Sequence, residues 1–285
     1  MAGSPLAAAG LGSSRLSVEV YIWIQYLRDR QKTPAEGLDV IFPMARAAGF
    51  RNIELTNVFF TPELRERTLK LLGSNGLKTP SVYVGGGMHE RSAADQTITL
   101  ALDVAGVARR TGCRAIINNP NPKPGKARKS DDELAFQAGA LNRLGREIRK
   151  FDMQFWVHHH DPEMAEGARE WRYVLEHTDP QYVSLCMDLD WVHQGGQDPL
   201  ALLREAGPRV AGLHLRNSKQ KLWLEALEEG DIDYAAIARY LTEARLRPLL
   251  VVELAYRKET VVTRPLEEDL RLSRLYAEKV FHGQI

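Results

Sequence analysis

Residues 153–177, MQFWVHHHDPEMAEGAREWRYVLEH, hold the unit whose reading decides the fold: a short apolar run, MQFWVHH, a polar corner, then an amphipathic segment, PEMAEGAREWRYVLEH. The run reads as a strand and the segment as a helix, since one is short and continuous and the other repeats its apolar positions at helical spacing. The same unit recurs along the chain. VEVYIWI (18–24) precedes PAEGLDVIFPMARAAG, NIEL (52–55) precedes a helix opened at Thr61 by TPEL, KTPSVYV (78–84) precedes a helical stretch over 92–111, and CRAIINN (113–119) precedes SDDELAFQAGAL. After the quoted unit come YVSLCMDL (182–189) with DPLALLREAG, RVAGLHL (209–215) with DYAAIARYLTEA, and PLLVVEL (248–254) with PLEEDLRLSRLYAEKV. Eight strand–helix units, starting about every 30 to 40 residues, predict a single-domain α/β protein: a closed (β/α)8 barrel of parallel strands covered by helices. An open doubly wound sheet is disfavoured because no GxGxxG follows the first strand, and Gly85 to Gly87 in YVGGGMHE read as a loop at a strand end. The Pro/Lys-rich stretch 118–130 reads as a long loop after the fourth strand, not a domain boundary.

Composition narrows the function classes. At 44% hydrophobic and 26% charged, 285 residues make an ordinary globular protein and exclude disordered and collagen-like classes. Lys+Arg of 38 against Asp+Glu of 37 leaves a net charge of +1, too little for a global field that recruits nucleic acid or an anionic membrane. Cys113 and Cys186 each sit in an apolar run and read as buried thiols. No stretch approaches the roughly 20 continuous apolar residues of a membrane span. Residues 1–16 are small-residue-rich and expected to be disordered, leaving 17–285 as the barrel; a cytoplasmic location is expected, or a periplasmic one if a signal segment has been removed.

In a barrel, chemistry gathers at the C-terminal ends of the strands. The fifth run ends at His158, the sixth at Asp188, the seventh at His214 and the eighth at Glu253. Strand alternation pairs Asp188 with Cys186 and Glu253 with Val251 on inward faces, and puts His158 and His160 on one face with His159 on the other. A buried acid at a strand end is costly without a partner. A divalent ion held by His158, Asp188, His214 and Glu253 removes that cost; hydrogen bonds and ion pairs within the barrel mouth are the alternative.

The motifs GFRNIEL, WVHHHDPEM, CMDLDWVHQGGQDPLALLREAGPRVAGLHLRNSK and LLVVEL, in this order, resemble the xylose-isomerase-like superfamily of sugar phosphate isomerases and epimerases. The resemblance implies a metal-dependent TIM barrel whose ion is held by Glu, Asp, His and Glu from strands five to eight. The last three fall on Asp188, His214 and Glu253, while His158 occupies the position of the first Glu. Members with two such glutamates use them as the proton-transferring pair, so His158 argues against symmetric epimerisation and makes inosose-dehydratase-like and keto-glycoside-cleaving branches look closer. Trp191 stands where a His often follows the Asp motif, which separates the chain from apurinic endonuclease relatives. The ion implied is divalent, Mn2+ first, with Zn2+, Co2+, Fe2+ or Mg2+ as alternatives.

The expected function is a metal-dependent, isomerase/epimerase-like enzyme that abstracts a proton beside a carbonyl of a sugar or keto-sugar. The alternatives are a dehydratase or keto-glycoside-cleaving lyase on the same barrel, and a barrel that binds sugar without turning it over. Glu253, His160 and Glu54 are the proton-carrier candidates, with a salt bridge to Arg or Lys the other reading of Glu54. Arg216, Trp191, His193, Trp156 and Glu225 are the substrate-binding candidates, the indoles for sugar stacking and His193 also for proton transfer. The partner expected is a small sugar, with no nucleic acid and no membrane; a homo-oligomer is compatible with the sequence.

Overall fold

The computed structural model describes residues 15–285. Eight parallel strands close into a barrel: β1 (Leu16–Glu19), β2 (Ile53–Thr56), β3 (Ser81–Tyr83), β4 (Ala115–Asn118), β5 (Gln154–Val157), β6 (Ser184–Asp188), β7 (Val210–Leu215) and β8 (Leu249–Val252). Neighbours pair in sequence order, and β1 closes the ring against β8 with Val18 opposite Val252. The covering helices are α1 (Tyr21–Arg28), α2 (Pro34–Ala47), α3 (Arg65–Ser74), α4 (Arg91–Ala108), α5 (Asp131–Arg149), α6 (Ala165–His177), α7 (Leu189–Gln194), α8 (Pro199–Ala206), α9 (Tyr234–Glu243) and α10 (Leu266–Val280). The sequence-expected barrel is therefore the fold. Of the segment expected to be disordered, residues 1–14 lie outside the described residues, and Leu16 already opens β1.

Local chemistry fixes the element starts. Thr33 before α2 and Ser130 before α5 each form a reciprocal capping box with a glutamate three residues on, Glu36 and Glu133. Pro34 occupies the first position of α2, where its missing N–H costs nothing. One expected element is corrected. VEVYIWI is not a strand throughout: β1 ends at Glu19 and the chain turns helical from Tyr21. Val20, Ile22 and Trp23 are all buried, so a strand-to-helix corner enclosed by core presents an unbroken apolar run that mimics a longer strand.

The core has two layers. Between strands and helices lies a continuous apolar shell including Val18, Leu38, Phe42, Leu55, Phe155, Met187, Leu213 and Val252. Inside the barrel a smaller plug of Ala115, Ile117, Trp156, Cys186, Leu249 and Val251 fills the lower half. Gly212 makes room for it: a Cβ there would stand 2.9 Å from the Trp156 ring and 3.1 Å from Cys186 Sγ. The plug makes a floor, and inward-facing residues two positions further along each strand stand on top of it. Both cysteines are free and buried, as expected. Among the described residues no helix is long and apolar enough to cross a membrane.

Candidate metal centre and substrate cavity

The barrel ladder places the first residues of the site. His158 N–H donates to Asn118 O at 2.9 Å and Glu253 N–H donates to Leu215 O at 3.0 Å, so each continues its strand by one inward step. Asp188 is the last residue of β6, paired with His214 on β7. One side-chain atom each from His158, Asp188, His214 and Glu253 lies within 4.8 Å of the others, and all four residues are buried. These are the four ligand candidates named from the strand ends.

Their surroundings fit a cation. His158 Nδ1 lies 3.2 Å from Asn119 Oδ1, which makes Nδ1 the protonated nitrogen and leaves the lone pair on Nε2, a buried atom with no hydrogen-bond partner. His214 Nδ1 is 2.6 Å from Glu253 Oε2; its Nε2 is 2.9 Å from Glu54 Oε1 but out of line for a hydrogen bond, so both atoms stay unpartnered. Five buried carboxylates, Glu19, Glu54, Asp188, Asp190 and Glu253, converge on this end of the barrel. The guanidinium among them is Arg216, 1% exposed, which donates to Asp188 Oδ2 and Glu253 Oε1, each at 3.0 Å, with Nε 3.6 Å from Asp190 Oδ2. Arg216 and His214 face five buried acids, more carboxyl groups than cations, and a divalent ion would offset the excess.

The protonation equilibria report the same surplus. Burial pushes Asp188 up to about 7 in spite of Arg216. Burial, then the nearby Glu253 and Glu54, raises Glu19 well above the usual carboxylate range. For Glu253 burial acts upward, but Arg216 and His214 together hold it well below that range. Burial opposes the charged form of His214, yet Cys186, Glu54 and Glu253 keep it well above an ordinary histidine. Burial chiefly pushes His160 down to about 4 and holds His158 well below an ordinary histidine.

Above the cluster lies a cavity of about 250 Å³ lined by Glu19, Tyr21, Thr56, Tyr83, His158, His160, Trp191, His214, Arg216, Trp223 and Glu253. Trp191 and Trp223 meet edge to face at 5.3 Å, and His160 stands edge-on to Trp191 at the same distance. His160, Arg216, Trp191 and Glu253 are thus together, and His159 is outside the lining as strand alternation requires.

Four other candidates stand elsewhere. Trp156 lies in the plug below, its indole N–H donating to Gln154 Oε1 at 2.8 Å. Glu54 is fully buried outside the cavity lining, accepts from Ser81 Oγ, and has His214 rather than an Arg or Lys beside it. His193 pairs with Asp231 at 3.2 Å outside the cavity. Glu225 accepts from Thr263 N–H and Oγ1 and pairs with Arg264, fastening the segment before α10.

Sequence reasoning missed Glu19, Asp190 and Trp223. Glu19 ends β1 and accepts from Tyr21 N–H; the overlong strand reading hid it in mid-run. Asp190 accepts from Trp223 Nε1 at 2.6 Å and Ser218 Oγ at 2.8 Å, tying the hairpin Ser218–Lys219/Leu222–Trp223 to α7. Its signal was the spacing of two in the DLD triplet.

Comparison with known proteins agrees with this geometry. The chain is 26% identical over 168 residues to an inosose dehydratase of Clostridium tetani, covering 53% of this chain and 56% of the relative, so it spans little more than half the length of that protein. Its fold matches a sugar phosphate isomerase/epimerase from Parabacteroides distasonis, with TM-score 0.73, 16% identity and 98% of each chain covered. It also matches a xylose isomerase-like TIM barrel protein from Mycobacterium smegmatis in complex with magnesium, with TM-score 0.69, 14% identity, and 88% of this chain and 90% of that one covered. Residues 42–276 match the family described as xylose isomerase-like TIM barrel, and the chain belongs to that family.

Proposed function

We propose that this chain is a metal-dependent enzyme that removes a proton beside a carbonyl of a sugar or keto-sugar. The observation that carries the reading is the meeting of His158, Asp188, His214 and Glu253 within 4.8 Å at the floor of an aromatic-lined cavity. A divalent ion held there, Mn2+ first and Zn2+, Co2+, Fe2+ or Mg2+ after it, would supply the positive charge that lowers the barrier to enolising an adjacent carbonyl. The protein's own groups do the rest. Asn119 fixes the orientation of His158, and Glu253 that of His214. Arg216 aligns Asp188 and Glu253 and lines the cavity, where it can donate to a substrate oxygen. Trp191, Trp223 and Tyr83 supply rings for the carbon face of a sugar and exclude water. His160 and Glu19 line the same space without belonging to the four-residue cluster, which makes them the proton carriers, with Glu253 the third candidate.

Returning the proton to the neighbouring carbon isomerises the substrate, returning it to the opposite face epimerises it, and loss of a β-oxygen dehydrates it or cleaves a glycoside. Isomerase/epimerase chemistry is the leading reading. Elimination is the second, favoured by the inosose dehydratase relative and by an imidazole, His158, where a symmetric pair would need a carboxylate.

The test is elemental analysis of the purified protein beside His158→Ala and His214→Ala, followed by incubation of keto-sugars in deuterated water. Near-stoichiometric divalent metal, lost in both variants, with deuterium entering carbon next to the carbonyl, is expected. Wild-type protein that takes up no ion when offered each in turn would leave a sugar-binding barrel in its place.

A further inference from the structure

Charge in this chain is sorted between the two ends of the barrel. The connections that lead into the strands, residue 15 and residues 48–52, 75–80, 109–114, 150–153, 178–183, 207–209 and 244–248, hold ten Lys and Arg and two Asp. The connections that leave the strands at the mouth, residues 57–64, 84–90, 119–130, 158–164, 216–233 and 253–265, also hold ten Lys and Arg, but with eleven Asp and Glu. The foot of the barrel, opposite the cavity, therefore carries +8, and the remaining 28 cations and 35 acids leave −7 on the rest of the chain. A net charge of +1 conceals that separation.

The cations of the foot are unspent. Arg51, Lys78, Arg109, Arg114, Arg245 and Arg247 are all exposed, and their side chains make no hydrogen bond or ion pair with any described residue. Their backbone is fixed, because these turns continue the barrel ladder: Lys78 N–H donates to Arg51 O at 3.0 Å and Arg114 N–H to Pro80 O at 2.8 Å. Arg15 Nη1 donates to Arg247 O at 2.8 Å, which joins the turn before β8 to the start of β1. Five neighbouring strands, β8, β1, β2, β3 and β4, are thus each entered past an Arg or Lys, over more than half of the ring.

The shape of this patch selects its partner. Cations spread round the end of a cylinder reach a flat anionic surface together, whereas a single nucleic-acid strand crossing that end meets few of them. A strand is also held by rings on which its bases stack, and none of the exposed large apolar or aromatic side chains lies in these turns. The same lack leaves nothing to insert into hydrocarbon, so a bilayer would be met at its headgroups alone, reversibly and under the control of salt. An anionic surface attracts the foot and repels the −7 on the rest of the chain. The cavity mouth then faces away from the surface, open to solution.

We infer that the foot of the barrel is a docking surface for the anionic headgroups of a lipid bilayer, with Arg51, Lys78, Arg114 and Arg247 in contact. The inference is independent of the metal cluster and of turnover, which belong to the opposite end.

The experiment is cosedimentation of the full chain, at low ionic strength, with vesicles of phosphatidylcholine alone or with about one-third phosphatidylserine. Two variants with the same change in charge are compared, with circular dichroism confirming the fold of each. One is Arg51→Ser/Lys78→Ser/Arg114→Ser at the foot; the other is Arg28→Ser/Arg30→Ser/Lys32→Ser, where α1 gives way to α2 at the mouth end. Wild type is expected to partition at least about tenfold more onto the anionic vesicles. Each basic residue near such a surface is worth about fivefold, so the foot variant should bind about a hundredfold more weakly and the other variant within about twofold of wild type. Salt at about 0.3 M should release the protein. Wild type that stays in solution with anionic vesicles overturns the proposal. So do two variants weakened alike, since that marks a response to total charge and not to this face. Binding of a fluorescein-labelled oligouridylate that the foot variant loses, without binding to vesicles, would overturn it in favour of a nucleic acid.

Discussion

Arg216 shows how much one residue carries at this site. Its three nitrogens face Asp188, Glu253 and Asp190 from a fully buried position, beside the Trp223 ring. Removing one partner of a buried charge cluster strands the rest, which typically costs about 3–5 kcal/mol. Arg216→Met is therefore expected to lower stability by about that amount in urea unfolding, and supplying a divalent cation should restore part of the loss because the stranded acids are its ligand candidates. Glu163 makes a second prediction away from that cluster. It is 3% exposed, with Oε2 accepting His160 N–H at 2.7 Å and Oε1 unpartnered. Burial, then Glu170, pushes it up to about 7. The folded protein thus keeps a proton that the unfolded chain releases near 4.5, so this contribution to stability is full below that pH and is lost as pH rises through 7. Glu163→Gln keeps the shape and cannot ionise. At pH 8 it should be more stable than wild type by up to about 3 kcal/mol, with no gain at pH 4. Parallel wild-type and variant unfolding profiles across that range would refute the assignment.

At the scale of elements, β7 passes close beside the plug inside the barrel. Gly212 is the only residue type that lets the Trp156 ring share its layer with Cys186, since an added Cβ would meet that ring at 2.9 Å. Overfilling a packed interior costs about 1–3 kcal/mol, so Gly212→Ala should lower Tm by about 2–10 °C in a calorimetric scan. Restoring the space with Trp156→Phe should recover part of it. What the sequence made legible follows the same physical lines. Asp188, His214 and Glu253 were readable because a charged side chain at the end of a β-branched run has few explanations, and His158 because the triplet's alternation sorts its faces. Glu19 was not, because the buried corner from β1 into α1 carries Val20, Ile22 and Trp23 in sequence and hides where the strand stops. Trp156 and Trp191 are indistinguishable as letters. One lies two residues before His158, a layer lower in the barrel, and the other opens onto the cavity from α7. The partners of Glu225 and His193 were hidden for a further reason: Thr263 with Arg264, and Asp231, are 38 or more residues away, and no local pattern encodes such pairs.

Across the whole molecule, the candidate ligands come from β5, β6, β7 and β8, half the circumference of a barrel that β1 closes against β8. Unfolding separates all four, so an ion that binds them only when they are together must stabilise the entire domain, not a loop. The effect has a defined size. At a free concentration one hundred times its Kd, a ligand of the native state alone adds about 2.7 kcal/mol. A domain of this length should then gain about 5–10 °C in Tm. The gain should rise with the logarithm of ion concentration and disappear in His214→Ala, whose remaining three groups no longer surround a common point. The ion should also relieve the burial cost and repulsion that raise Glu19 and Asp188, so the increment should be larger at pH 8, where more of that pair is ionised, than at pH 5. A Tm that ignores divalent cations at both pH values, in protein shown to be folded and initially free of metal, would mean that Arg216 and His214 already satisfy the acids of this barrel. The cluster would then hold the mouth of the barrel together and take no part in Lewis-acid chemistry.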